Sequence, residues 1–185
     1  MLQAVDITNF FKRQQRNHAL LDEWRNTHGI KRGLVEAAPT RFCYVFNVLD
    51  SLIAVKPALQ SAVVAAAFNS GSGTSSKDRA AVVKQTVLSD AWWSRVATIA
   101  SVLKPIANAI TLVQADSCTQ ADAYYIWRAM AADVKAAVDA AEPDDELEPE
   151  LETVLEALLQ RFNYGLSDMM ILSAMLHPKY RWGLK

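Results

Sequence analysis

The chain has 185 residues, a formal net charge of −1, 51% apolar and 21% charged residues. That is enough apolar material for one domain with a core, and it excludes a disordered polyelectrolyte. The near-neutral balance also excludes a protein that grips nucleic acid over its whole surface. Charge is uneven, however: residues 1–45 carry seven Lys/Arg against four acids, and residues 140–156 carry eight acids and no base.

Helix signals run from end to end. Thr8 reads as the N-cap of a first, peripheral helix that His28-Gly29 stops near Thr27. Gly29–Thr40 reads as a connector. From Arg41 the apolar residues Phe42, Val45, Phe46, Leu49, Leu52 and Ile53 recur at helical steps, and the series resumes at Leu59, Val63, Val64 and Phe68. Pro57 lies within this pattern and is expected to kink or split it. The segment Asn69-Ser-Gly-Ser-Gly-Thr-Ser-Ser76 reads as a loop, and neither P-loop nor dinucleotide-binding glycine spacing is present.

A short helix is expected from Asp78 to Leu88. Ser89 then caps a long one whose stripe runs Trp92, Trp93, Val96, Ile99, Leu103, Ile106, Ile110 and Val113, and Pro105 is expected to kink it midway. Thr119 and Asp122 have capping-box spacing and open a helix to about Ala141. An acidic loop at Glu142–Glu150 precedes helices over Leu151–Phe162 and Ser167–Leu176, with Pro178 ending the last. The sum is an all-α array of about seven helices with no substantial β-sheet. It divides into an N-terminal arm (1–28), a connector (29–40) and a helical domain (41–185), with loops near 69–77 and 142–150.

Few residues point to chemistry. His18, His28 and His177 sit in separate elements without a recognisable nucleophile motif. Cys43 and Cys118 form neither a disulfide framework nor a zinc pattern; Cys43, between Phe42 and Tyr44, reads as a buried thiol. Asp144/Asp145 is a poor cation site, because adjacent carboxylates on one loop do not converge. No catalytic residue, metal ligand or cofactor is expected. Neither is a small-molecule substrate. Trp92 and Trp93 point about 100° apart on a helix, so one ring is expected in the core and the other at an edge or interface. Met1–Gln15 lacks the pattern of a signal peptide, and Leu59–Phe68, read as the longest apolar-rich stretch, is far short of a membrane span. A soluble, intracellular protein without membrane contact is therefore expected.

Four local patterns, in order, resemble the hAT superfamily of transposases: Thr40-Arg41-Phe42 after the arm Ile7–Lys12; Leu88–Trp93 with Val102-Leu103-Lys104-Pro105-Ile106; Thr111-Leu112 with Asp116–Thr119; and Leu172–Tyr180. Phe42 stands where the family has Trp, and His177 where it has Asp. The resemblance spans roughly residues 5–183 and covers the helical insertion of a ribonuclease H-like enzyme. It implies that the two Asp and one Glu of the metal-binding core lie outside this chain, which would then be a non-catalytic fragment or domesticated remnant. By the same resemblance Arg41 and Phe42 are candidate DNA contacts and the location is nuclear. Lys179, Arg181 and Trp182 form a second basic–aromatic DNA candidate. The rival reading is a helical interaction or oligomerisation module. In it, Trp92 or Trp93 and the Ala62–Ala67 face pack on a partner helix, a second copy or a parent transposase.

Overall fold

The computed structural model describes residues 2–38, 43–68, 74–141, 144, 147–165 and 167–181, without the side chains at 2, 74–76, 162 and 181. Among the described residues the chain forms nine helices and no strand. They are α1 (Leu2–Arg13), α2 (Gln15–Thr27), α3 (Tyr44–Val64), α4 (Thr74–Val87), α5 (Asp90–Val113), α6 (Gln120–Asp139), α7 (Glu148–Gly165), α8 (Asp168–Leu176) and α9 (Pro178–Arg181). The all-α expectation holds, and the array is subdivided more finely than the sequence pattern suggested.

Two compact units emerge, Met1–Ala100 and Ser101–Lys185, and the division runs through α5. The charge asymmetry follows it. The first unit has twelve Lys/Arg against seven Asp/Glu, net +5, and the second seven against thirteen, net −6.

In the first unit, the single helix expected over Thr8–Thr27 is two. Gln14 adopts an extended conformation (φ −100°, ψ 101°) that ends α1 and starts α2, and Asn17 Nδ2 donates to its side-chain oxygen at 2.8 Å. Thr8 is therefore not a cap. It is buried inside α1, where its hydroxyl donates to the Ala4 carbonyl at 3.0 Å. Ala4, Ile7, Phe10 and Phe11 are buried beside it at steps of three and four, so α1 is a core helix and not a peripheral one. The helix starts at Leu2, ahead of Thr8, so Ala4 and Ile7 belong to the stripe. Phe10 and Phe11 meet Phe68 at ring-centre distances of 5.8 and 6.3 Å.

Helix α3 packs against α1, α2 and α4. Having neighbours on several sides, it buries Val48, Leu49, Ser51, Leu52, Val55, Ala58, Leu59, Ala62 and Val63, a wider band than one stripe. Ile53 and Val64, assigned inward by periodicity, are 37% and 60% exposed. Pro57 does not split the helix. It is exposed, and the missing backbone donor falls on the solvent side.

The connector is tied down by side chains. Arg25 donates from Nε to the Arg32 carbonyl (2.7 Å) and from Nη2 to the Lys31 carbonyl (2.9 Å), and its guanidinium lies against Gly33. Arg32 pairs with Asp50 at 2.6 Å, and the Val35 amide donates to the Ser51 hydroxyl at 3.0 Å. Gly29 (φ +67°) takes the left-handed turn after α2 that a side chain would resist.

Helix α5 is capped by Ser89, whose hydroxyl accepts from the Trp92 amide at 3.3 Å, and Pro105 leaves it continuous. At 24 residues it is the one helix, among the described residues, long and apolar enough to cross a membrane by length and composition alone. The length criterion that excluded Leu59–Phe68 does not exclude α5.

In the second unit α6 packs against α7 and α8, and α8 against α9. Thr119 and Asp122 form the expected capping box, each side chain bonding the other's backbone amide at 3.1 Å. Helix α7 begins at Glu148, inside the region read as acidic loop, and continues to Gly165. Helix α8 stops at Leu176 just ahead of Pro178, as expected, and Pro178 then starts the short α9, where its missing N–H costs nothing.

Candidate interaction surface

Apart from Asp168 and Ser173, helix α8 is apolar, and among the described residues only one side of it is covered. Ala174 is 2% exposed and faces α6, with Met170 and Ile171 half-buried on the same side. On the opposite arc Met169, Leu172, Met175 and Leu176 are 64%, 50%, 56% and 73% exposed. A water-facing helix side ordinarily carries polar residues, so two apolar faces on a nine-residue helix leave one without a partner. Tyr164, near the end of α7, is 89% exposed and lies five residues before Met169. No charged residue falls between Asp168 and Lys179.

The end of α8 is held by a polar cluster centred on Asp122. Its carboxylate accepts from the Thr119 hydroxyl (2.6 Å), the Thr119 amide (3.1 Å), Lys179 Nζ (2.9 Å) and the Tyr180 hydroxyl. The Tyr180 ring stacks on Tyr125 at 4.0 Å, and His177 lies 5.4 Å from it. These contacts pin the single turn of α9 to the start of α6. The Thr119 hydroxyl, then Tyr180 and Lys179, hold the Asp122 carboxyl far below the ordinary carboxylate range. Asp122, with Tyr180 contributing, holds the Lys179 amine well above the ordinary lysine range.

A lowered acid contributes above its unfolded-state value and loses that contribution only as pH falls through the folded value. A raised lysine contributes below its unfolded-state value and loses it only as pH climbs through the folded one. The clasp therefore spans the whole ordinary range. In an NMR titration the Asp122 side-chain carbon is expected to show no midpoint between about pH 3 and pH 6, where free carboxylates titrate. Asp122→Asn is expected to abolish the ring-current shifts between Tyr125 and Tyr180 and to speed amide exchange in α9. An ordinary Asp midpoint would show the clasp is not formed.

The candidate DNA contacts divide. Arg41, Phe42 and Trp182 lie outside the described residues, and the Arg181 side chain is likewise not described. Lys179 is exposed yet engaged by Asp122. Of the tryptophan pair, Trp93 is 4% exposed, donates from Nε1 to the Val87 carbonyl at 2.8 Å and has Lys56 over its ring at 5.2 Å. Trp92 is half-buried, stands edge-on to Trp93 at 4.7 Å and, with Gln3, Gln85, Ser89 and Arg95, lines a shallow groove of about 430 Å³. On the Ala62–Ala67 face Ala62 is fully buried, while Ala66 and Ala67, beyond the end of α3, are exposed.

His28 Nε2 lies 3.1 Å from the Ser61 hydroxyl, a pairing across distant positions that no sequence motif announced. His18 faces Asp22 at 3.1 Å. The His28–Ser61 pair is exposed, so its chemistry as described is a link from the end of α2 to α3. Burial raises the Cys43 thiol pKa, which disfavours the thiolate. Asp139, Asp144, Glu148 and Glu152 border a cavity of about 260 Å³ floored by Leu147 and Leu151, and Asp139 is paired with Lys135. Among the described residues no group of three or more His, Cys, Asp or Glu is placed to hold a metal ion.

No protein-family model, curated protein or solved structure matches this chain.

Proposed function

We propose that the chain acts as a helical protein–protein interaction module, without catalysis of its own, and that the outer face of α8 is its docking surface. The observation that carries this is the run Met169, Leu172, Met175 and Leu176, each at least half exposed on a helix whose other face is already packed. Flexible methionines beside leucines suit a surface that must adapt to another helix. The test uses a fluorescent apolar dye such as anilinonaphthalene sulfonate on the full chain. Leu172→Glu and Leu176→Glu are expected to lower dye binding several-fold while leaving helical circular dichroism unchanged. Undiminished binding would remove α8 from the account.

A second reading keeps the transposase resemblance, with the chain as a helical insertion that retains a DNA contact. It is supported by the side-by-side placement of two segments that carry the resemblance: Thr119 and Tyr180 share the Asp122 carboxylate. On this reading the full chain binds duplex DNA with an affinity that falls steeply with salt, and Arg41→Ala weakens it uniformly across sequences. Failure to shift DNA at low salt would dismiss it.

A further inference from the structure

We infer that the groove beside Trp92 binds a purine nucleotide, either free or as one unit of a single strand. The groove belongs to the first unit and owes nothing to α8. The last turns of α4 present Gln85 and Thr86 to it, Ser89 follows at the turn, α5 adds Trp92 and Arg95, and α1 adds Gln3. These positions fall off the buried stripes Ala80, Val83, Val87 and Trp93, Val96, Ala100, so packing of the core leaves them to the groove.

The chemistry of the lining sets the ligand. No carboxylate lines the groove and Arg95 brings a positive charge, within a unit of net +5, so an anion is favoured over a cation. The side-chain amides of Gln3 and Gln85 make no hydrogen bond to another described residue. A carboxamide sets an N–H donor beside a carbonyl acceptor in one plane, the pattern that meets the amino group and ring nitrogen of adenine. Thr86 donates its hydroxyl proton to the Val82 carbonyl at 2.9 Å and keeps its acceptor lone pairs. Ser89 accepts from the Trp92 amide at 3.3 Å and keeps its proton. One acceptor and one donor suit the hydroxyls of a ribose. Arg95 holds another contact as well, but a guanidinium with five N–H donors retains some for a phosphate.

Trp92 supplies the stacking surface. It stands edge-on to Trp93 at 4.7 Å, and Trp93 is fixed by its own bond to the Val87 carbonyl, so the platform is ordered before a ligand arrives. A purine offers an indole more stacking area than a pyrimidine does. The volume of about 430 Å³ falls within the range for small-molecule sites. The shallow form leaves the ligand partly in water, which sets a weak affinity, on the order of 0.1–1 mM for a single nucleotide.

NMR of the full chain titrated with adenosine monophosphate reads the outcome. The Trp92 indole N–H, assigned by its loss in Trp92→Phe, is expected to shift saturably while the Trp127 indole does not. Trp92→Ala is expected to weaken binding at least five-fold, the loss of one base stack. Gln85→Ala and Arg95→Gln change exposed side chains, so both keep the test open should Trp92→Ala fail to fold. Gln85→Ala is expected to weaken adenosine monophosphate several-fold, and Arg95→Gln to remove its advantage over adenosine. Hexa-adenylate binding clearly tighter than the mononucleotide identifies a single strand as the source, and comparable binding identifies the free nucleotide. An unmoved Trp92 indole at several millimolar mononucleotide and with hexa-adenylate overturns the site. So does uridine monophosphate binding as tightly, an equal response to inorganic phosphate alone, or unchanged affinity in a folded Trp92→Ala, in Gln85→Ala or in Arg95→Gln.

Discussion

Phe11→Ala is expected to destabilise the first unit by about 3–5 kcal/mol, the range for emptying an aromatic site in a packed core. Phe11 is 0% exposed, stands edge-on to Phe10 at 5.7 Å and lies 6.3 Å from Phe68, the three rings forming one cluster. Helix α1 packs against α2 and α3, and Ile7 and Leu52 are buried in the same unit, so a close-packed interior has little freedom to fill the gap. Urea denaturation followed by the fluorescence of Trp24, Trp92 and Trp93 reads the loss. Had α1 been the peripheral arm that the sequence pattern suggested, the same change would cost less than about 1 kcal/mol. An effect that small would return α1 to the surface.

The second large effect is expected in the other unit. Val134 is fully buried on α6, the helix against which both α7 and α8 pack. Val134→Asp places a carboxylate there without a partner, at a cost of several kcal/mol. Burial would raise that new acid's pKa, so its penalty is present above the raised value and relieved as pH falls below it. The variant is accordingly expected to be less unstable at about pH 4 than at about pH 7, relative to the parent chain at each pH. NMR of the Trp127 indole, in the same unit, reports the loss directly. Equal destabilisation at both pH values would place position 134 in contact with water.

Sequence periodicity revealed the all-α class because amphipathic stripes are local, and the Thr119–Asp122 box was legible because both partners lie within one turn. The break at Gln14 was not legible, since no glycine or proline marks it. The fate of Pro57 and Pro105 was hidden as well, because a helix tolerates a proline where the lost bond faces solvent. Ile53 and Val64 were misassigned for a different reason: periodicity finds the apolar side of a helix, while the neighbours decide which apolar residues are covered. The α8 face escaped notice for the same reason. Its sequence reads as a buried helix, and only the packing against α6 shows that half of it has no cover. The clasp of Asp122 with Lys179 and Tyr180 joins positions more than fifty residues apart, which spacing rules do not reach.

The isoelectric point of about 6.3 is an average over two halves of opposite sign, +5 up to Ala100 and −6 beyond it. At that pH the molecule as a whole neither migrates in a field nor repels its copies by net charge, yet each half retains enough charge to attract the other half of a neighbouring molecule. Added salt screens that attraction, whose range is about 10 Å at 0.1 M. Preparations near neutral pH should therefore dissolve better with salt than without it, the reverse of what a uniformly charged protein of the same composition would show.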